Sequence, residues 1–332
     1  MSHPTLTRIV PGLVLATVLA QPVSLHAAGL YKTTAGDGTV TYSDRPQPVA
    51  PEAPTTEAAR PPVPSREPTA KPGGATADDV LELSGVRPQL AAAPAKMAGE
   101  FKPRGVRLHA DDAAALEHIL ARHFDADRLW AQVRAEFKRR VDSRKLVDVA
   151  EWLRSPLGQK ITALEVAAGL ESDAAQRALA FTPSGRGGPP PARVALMERI
   201  DWTAGITDGS LESMLAVARA MAMARNRALP AEERQTTAQV ERHIQQLRGQ
   251  ARSRLAQNTL VFMLYQYRSL SDDELQQYGD FLASDAGRWF SATMSKAMNR
   301  TVAAAAQRAA SELIRTIPPP RWSGGAAASP RH

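Results

Sequence analysis

Cysteine is absent from all 332 residues, which excludes disulfides, cysteine-ligated metals and a lipidated N-terminal cysteine. Aromatic residues are scarce at 5% and β-branched runs are few, so the composition disfavours a body built of sheet. No apolar run reaches the roughly 20 residues that a membrane-spanning helix needs. There is no Gly-x-Ser-x-Gly elbow, phosphate-cradling glycine loop or His-Glu-x-x-His segment, the patterns of a serine hydrolase, a nucleotide site or a zinc peptidase. No catalytic residue, metal ligand or cofactor is therefore expected, and the chain reads as a non-enzyme.

What is present is 43% hydrophobic residues with alanine prominent, enough for a buried core of helix packed on helix in one or two domains. The chain repeats one segment. Glu151-Trp152-Leu153-Arg154-Ser155-Pro156-Leu157-Gly158 returns as Asp280-Phe281-Leu282-Ala283-Ser284-Asp285-Ala286-Gly287, each position displaced by 129 residues. Each copy reads as the end of one amphipathic helix, a serine capping the next, and a glycine at that helix's third position, where a side chain would obstruct a tight crossing. Pro156 occupies the first helical position, where its missing N–H costs nothing. Asp285 takes that place in the second copy, where a carboxylate suits the positive end of the macrodipole. The structural corners are accordingly Trp152, Ser155, Pro156 and Gly158, and Phe281, Ser284 and Gly287. The expected fold is mainly α, a multi-helix bundle with two pseudo-repeated helix–corner–helix units, preceded by a small β-hairpin module.

Residues 1–28 carry Arg8, an apolar run over 9–20 and the small residues Ala27 and Ala28, the pattern of a secretory signal peptide. A periplasmic protein of a Gram-negative bacterium is expected, with no transmembrane segment after cleavage. The formal charge is +7. In an exported protein this points to anionic polymer, lipid or acidic protein as neighbours and away from nucleic acid, and solubility alone would explain it equally well.

Over residues 29–46, two β-favouring runs flank Gly36-Asp37-Gly38, which supplies the positive-φ residues of a tight turn and predicts a hairpin with Tyr31 and Tyr42 paired across it. Tyr31, Lys32, Asp37, Gly38, Val40, Tyr42, Ser43, Asp44, Arg45 and Pro46 resemble a short domain of unknown function found behind the signal peptides of proteobacterial envelope proteins. Thr33 stands where that family usually has an aromatic, and Ala35 where it has an acid. Residues 47–75 are rich in Pro, Ala, Thr and Glu and read as a disordered linker.

An all-α domain is expected over 76–317, with halves 76–181 and 192–317 separated by a Pro/Gly loop at 182–191 and followed by a disordered tail at 318–332. Helices are predicted from the capping-box-like start Thr76-Ala77-Asp78-Asp79 to a stop at Ser84-Gly85, at 88–99, 111–121, 125–141 and 143–153, and from Ser155 toward Gly169. In the second half they are predicted at 192–204, 210–228, 230–267 and 284–316. One further helix opens on the capping box Ser271-Asp272-Asp273-Glu274 and enters the second corner. Ser271, Glu274, Leu275, Phe281, Ser284 and Gly287 resemble an all-α periplasmic domain of unknown function, and Trp152, Ser155, Pro156 and Gly158 fit its core. That resemblance implies no activity.

Chemistry is thin. His118 and His123 lie five apart, a spacing that does not put two ligands on one helix face. The carboxylate pairs Asp78/Asp79, Asp111/Asp112 and Asp272/Asp273 all fall at helix starts, where the macrodipole explains them. Glu165 and Glu171, near the first corner, have no such explanation. Arg134, Lys138, Arg139 and Arg140, and later Arg248 and Arg252, form basic helix faces, a candidate anion-binding surface. The leading expectation is a non-catalytic protein-interaction or scaffold module of the cell envelope. The alternative is a binder of anionic envelope polymer or lipid through the arginine faces. A hydrolase ranks third and would require polar groups converging in a pocket.

Overall fold

The structure, a computed structural model, describes the backbone of residues 31–34 and 40–43, and residues 74–101, 109–171, 174, 177, 178, 181 and 189–317. The expected signal peptide, hairpin turn, linker and C-terminal tail, and most of the Pro/Gly loop, lie outside the described residues. Two compact units are distinguished, with the segment Ala20–Pro72 forming one and the helical body falling in the other.

In the first unit, strands β1 (Tyr31–Thr34) and β2 (Val40–Ser43) pair antiparallel, with Tyr31 opposite Ser43 and Lys32 opposite Tyr42. Tyr31 and Tyr42 are therefore not cross-strand partners. The register is offset by one residue from the expected pairing, and a one-residue offset changes the face on which a side chain stands.

The helical body opens with α1 (Ala77–Leu83), held by a reciprocal capping box. The Asp79 N–H donates to Thr76 Oγ1 (3.1 Å) and the Thr76 N–H to Asp79 Oδ2 (2.8 Å). The helix expected over 88–99 is two helices, α2 (Val86–Leu90) and α3 (Ala93–Phe101), joined by tight i→i+3 bonds at Ala91 and Ala92. Pro94 is the reason. It has no N–H to give to Leu90, and its ring would strike that carbonyl in a continuous helix.

Next come α4 (Ala110–His123), α5 (Ala126–Lys138, capped by Asp125), α6 (Ser143–Arg154, capped by Asp142) and α7 (Pro156–Leu170). Beyond the Pro/Gly loop are α8 (Pro191–Ala204) and α9 (Ile206–Ala228). Helix α9 starts four residues before the expected Ser210, because Asp201 reaches over Gly205 to accept from the Thr207 N–H and hydroxyl, both at 2.7 Å. Gly205 itself turns through φ +68°, a conformation that favours glycine.

The long helix expected from Pro230 begins later, as α10 (Thr237–Gln266). Ala231–Glu233 is a 3₁₀ turn, and Thr236 forms a capping box with Gln239 that the sequence carries as Thr-x-x-Gln. Helices α11 (Asp272–Ala283) and α12 (Asp285–Thr316) follow, the first opened by the Ser271–Glu274 box as expected.

Helix α12 is the axis of the body, packing against α4, α5, α6, α8, α9 and α11. Its buried face is mostly small: Ala297, Ala305, Ala306, Ala309 and Ala310 are fully enclosed, which lets neighbouring helices approach closely. Because α12 shares one buried cluster with Val80, Leu120, Phe137 and Val149 of α1, α4, α5 and α6, the halves 76–181 and 192–317 do not have separate cores. The Pro/Gly loop marks a break in the chain and not a boundary in the core. Among the described residues, no helix is long and apolar enough to cross a membrane.

Candidate functional site

The two corners have the same geometry. Ser155 (φ −64°, ψ 153°) and Ser284 (φ −68°, ψ 163°) are extended residues between two helices. The Ser155 hydroxyl donates to the Trp152 carbonyl at 2.6 Å and accepts from the Gly158 N–H at 3.0 Å; the Ser284 hydroxyl donates to the Phe281 carbonyl at 2.6 Å and accepts from the Gly287 N–H at 3.0 Å. One hydroxyl thus caps an orphan N–H of the incoming helix and adds a second bond to a carbonyl of the outgoing one, which already accepts from the serine's own N–H at 3.0 Å.

The glycine requirement has the same origin in both copies. A Cβ on Gly158 would lie 2.0 Å from the Trp152 carbonyl oxygen, and one on Gly287 would lie 2.0 Å from that of Phe281. The obstruction is the corner's own backbone, not a remote helix as the repeat alone suggests. Pro156 stands at the first position of α7 as expected.

The copies meet face to face. Trp152 and Phe281, equivalent positions of the repeat, stack with ring centroids 4.4 Å apart and planes within 6°, and Tyr278 continues the stack at 6.2 Å from Trp152. On the other side of the second corner, Phe137 meets Trp289 and Phe290 edge-on, and the Trp289 indole donates to the Arg140 carbonyl at 3.1 Å.

A cavity of about 150 Å³ lies between the corners, bounded by α7, α9, α11 and α12. The stacked Trp152, Phe281 and Tyr278 line it together with Phe290, Met294 and Met298, and Thr162, Ser291, Ser295 and Asn299 add polar groups. Glu165 of α7 faces this space, and the equivalent position of the second copy, Met294, faces it too. The Tyr267 hydroxyl donates to Glu165 Oε1 at 2.8 Å and the Tyr278 hydroxyl to the same oxygen at 3.0 Å. Both tyrosine bonds fall on one oxygen, Oε1.

Burial pushes the Glu165 carboxyl above the ordinary glutamate range, and the two hydroxyls, which favour its charged form, oppose that shift. The tyrosines are pushed well above their ordinary value by burial and by the adjacent carboxylate, so they remain donors. Among the described residues lining the cavity, Glu165 is the only charged side chain.

The other sequence candidates lie elsewhere. Arg134 forms a bidentate pair with Asp78 (both bonds 2.6 Å) and Lys138 joins it at 2.9 Å. Arg139 and Arg140 both reach Glu136, at 2.5 and 3.2 Å. Arg248 pairs with Glu212 and Arg252 with Asp208. All six basic residues of the candidate anion surface are thus engaged by acids, although Arg134, Lys138, Arg139 and Arg140 share two carboxylates, Asp78 and Glu136.

His123 Nε2 lies 2.6 Å from Glu312 Oε2, and His118 Nε2 lies 2.7 Å from Arg122 Nη2, so the two histidines turn to different partners. Glu171 pairs with Arg177 at 3.0 Å. The three carboxylate pairs stand in the first turns of α1, α4 and α11, as helix starts require. Sequence reasoning left Glu165 unassigned and overlooked Tyr267 and Tyr278 as its partners. The available signal was an acid one turn from Ile161 on the inward face of α7.

Residues 15–72 match the family model described as a domain of unknown function, DUF4124. The match takes in the 29–46 segment and much of the expected linker, and it ends before α1. No curated protein and no solved structure matches the chain. The helical body that holds the cavity lies outside the matched segment.

Proposed function

We propose that the chain is an exported protein of the cell envelope whose helical body is a non-catalytic recognition module. In this reading residues 1–28 are removed on export to the periplasm, residues 29–46 form a β-hairpin module, and a Pro-rich linker joins it to the body. The body then engages its partner at the space between the corners. The observation that carries the reading is the cavity itself, a space lined by aromatic and polar side chains where two copies of one structural unit face each other. Enclosed apolar walls with a few converging polar groups are the usual form of a ligand site. On the arginine faces each cation already bonds an acid of the same fold, which an anionic ligand would have to displace.

The test is site-specific photo-crosslinking in a Gram-negative host expressing the full chain. A crosslinker at Ser295, in the cavity, should yield a discrete adduct in the periplasmic fraction, and one at Glu232, on the exposed 3₁₀ turn, should not. Retention of the uncleaved chain in the cytoplasm would sink the export reading. Equal adducts from both positions, or turnover of a cell-wall polymer by the purified protein, would sink the recognition reading.

A further inference from the structure

A buried carboxylate is ordinarily matched by a cation, because desolvating a charge without a partner is costly. Glu165 lacks one. Its two hydrogen-bond partners among the described residues are neutral hydroxyls, both on Oε1, and no arginine, lysine or histidine stands among the described lining residues. Lys160, five residues before Glu165 on α7, holds Glu274 at 2.7 Å, and Arg193 holds Asp272 at 2.5 Å. The aromatic residues Trp152, Phe281, Tyr278 and Phe290 line the same space.

We propose that the cavity between the corners is a receptor site for the ammonium group of a short aliphatic amine, with Glu165 as its counter-charge. The assignment rests on the recognition reading above and names its ligand class. The ammonium sits against Oε2, the oxygen the tyrosines leave open. Its remaining donors find the hydroxyl oxygens of Thr162, Ser291 or Ser295, and its alkyl chain lies against Met294 and Met298. The tyrosine clamp fixes the carboxylate's orientation in advance, which lowers the cost of binding. The size fits: a space of about 150 Å³ holds about six heavy atoms, the bulk of a benzene molecule. Anions are repelled by Glu165, and a neutral guest would bring it no counter-charge.

An ammonium on an alkyl chain has two sources, a free amine and the lysyl side chain of a partner. Calorimetric titration of the full chain at neutral pH compares pentylammonium, 1-pentanol, pentanoate and the tripeptide Gly-Lys-Gly. Pentylammonium should bind with a Kd below about 1 mM, at least about tenfold tighter than pentanol, and pentanoate should not bind. Glu165→Gln should weaken pentylammonium on the order of 10–100-fold, the range of a charge-assisted hydrogen bond, and erase its advantage over pentanol. If that variant folds poorly, the ligand order in the natural chain decides alone. Gly-Lys-Gly binding more tightly than pentylammonium assigns the ammonium to a partner's lysine, and the reverse order assigns it to a free amine. Pentanol or pentanoate matching pentylammonium would overturn the ammonium assignment while leaving recognition at the cavity intact. Failure of every ligand together with loss of the Ser295 crosslink would remove both.

Discussion

Replacing Gly158 with alanine sets two opposed effects against each other, and the sign of the result decides between them. Alanine favours the helical state over glycine by about 1 kcal/mol in a helix interior. Were Gly158 only a helical residue at the third position of α7, Gly158→Ala would stabilise the protein by about that much. The structure predicts the opposite. The new Cβ would lie 2.0 Å from the Trp152 carbonyl oxygen and 3.1 Å from Ser155 Oγ, so the corner must open. Overpacking a rigid contact costs about 1–3 kcal/mol. Loss of the serine cap, whose hydroxyl bonds both the Trp152 carbonyl and the Gly158 N–H, costs about 1 kcal/mol more. Subtracting the propensity gain leaves a net destabilisation of about 1–3 kcal/mol. Gly287→Ala should match it closely, because its Cβ meets the Phe281 carbonyl at the same 2.0 Å. Urea denaturation of the full chain, followed by far-ultraviolet circular dichroism, reads both values, and Ser155→Ala supplies the cap contribution alone. A Gly158→Ala protein as stable as the natural one or more so would refute the corner geometry.

Two further outcomes follow from charge. The folded Glu165 carboxyl is raised above its unfolded value by burial. Below the unfolded value both states are protonated and the natural chain has no penalty, whereas above the folded value the ionised form weakens it. The melting temperature of Glu165→Gln relative to the natural protein should therefore rise between pH 4 and pH 8, and a flat or falling difference would contradict the buried clamp. Asp78 shifts the other way. Hydrogen bonds from Arg134 and Lys138 hold its carboxyl well below the ordinary aspartate range, so its contribution is present above the unfolded value and is lost only as pH falls into strong acid. The pair is partly exposed, and Asp78→Asn should cost no more than about 1 kcal/mol, shrinking with added salt. A larger, salt-independent loss would show that the basic face of α5 is more than a solvated ion pair.

The parts of this fold legible from sequence are those written within three or four residues. The Thr76 and Ser271 capping boxes, the Ser155 and Ser284 corners and the stop at Gly85 each rest on a side chain bonding nearby backbone or on glycine's freedom at φ +67°. The Thr236–Gln239 box was equally local. It passed unread because Pro230, six residues earlier, looked like a sufficient helix start.

What depends on the distant chain was hidden. Tyr267 and Tyr278 lie 102 and 113 residues from Glu165, and nothing in the spacing of either announces the clamp. Arg134 looked free because its acid, Asp78, is 56 residues away. Whether the halves share a core was not legible, because an alanine-rich helix such as α12 carries a faint apolar stripe, so its insertion among α4, α5 and α6 left little trace in the pattern.

The central claim is that the two corner copies hold each other through Trp152 and Phe281 and thereby shape the cavity. A double-mutant cycle of Trp152→Ala and Phe281→Ala, measured by urea denaturation, tests it most directly. A parallel pair at 4.4 Å predicts a favourable coupling of about 0.5–1.5 kcal/mol. Additive single-site losses, with coupling indistinguishable from zero, would mean that the corners do not meet.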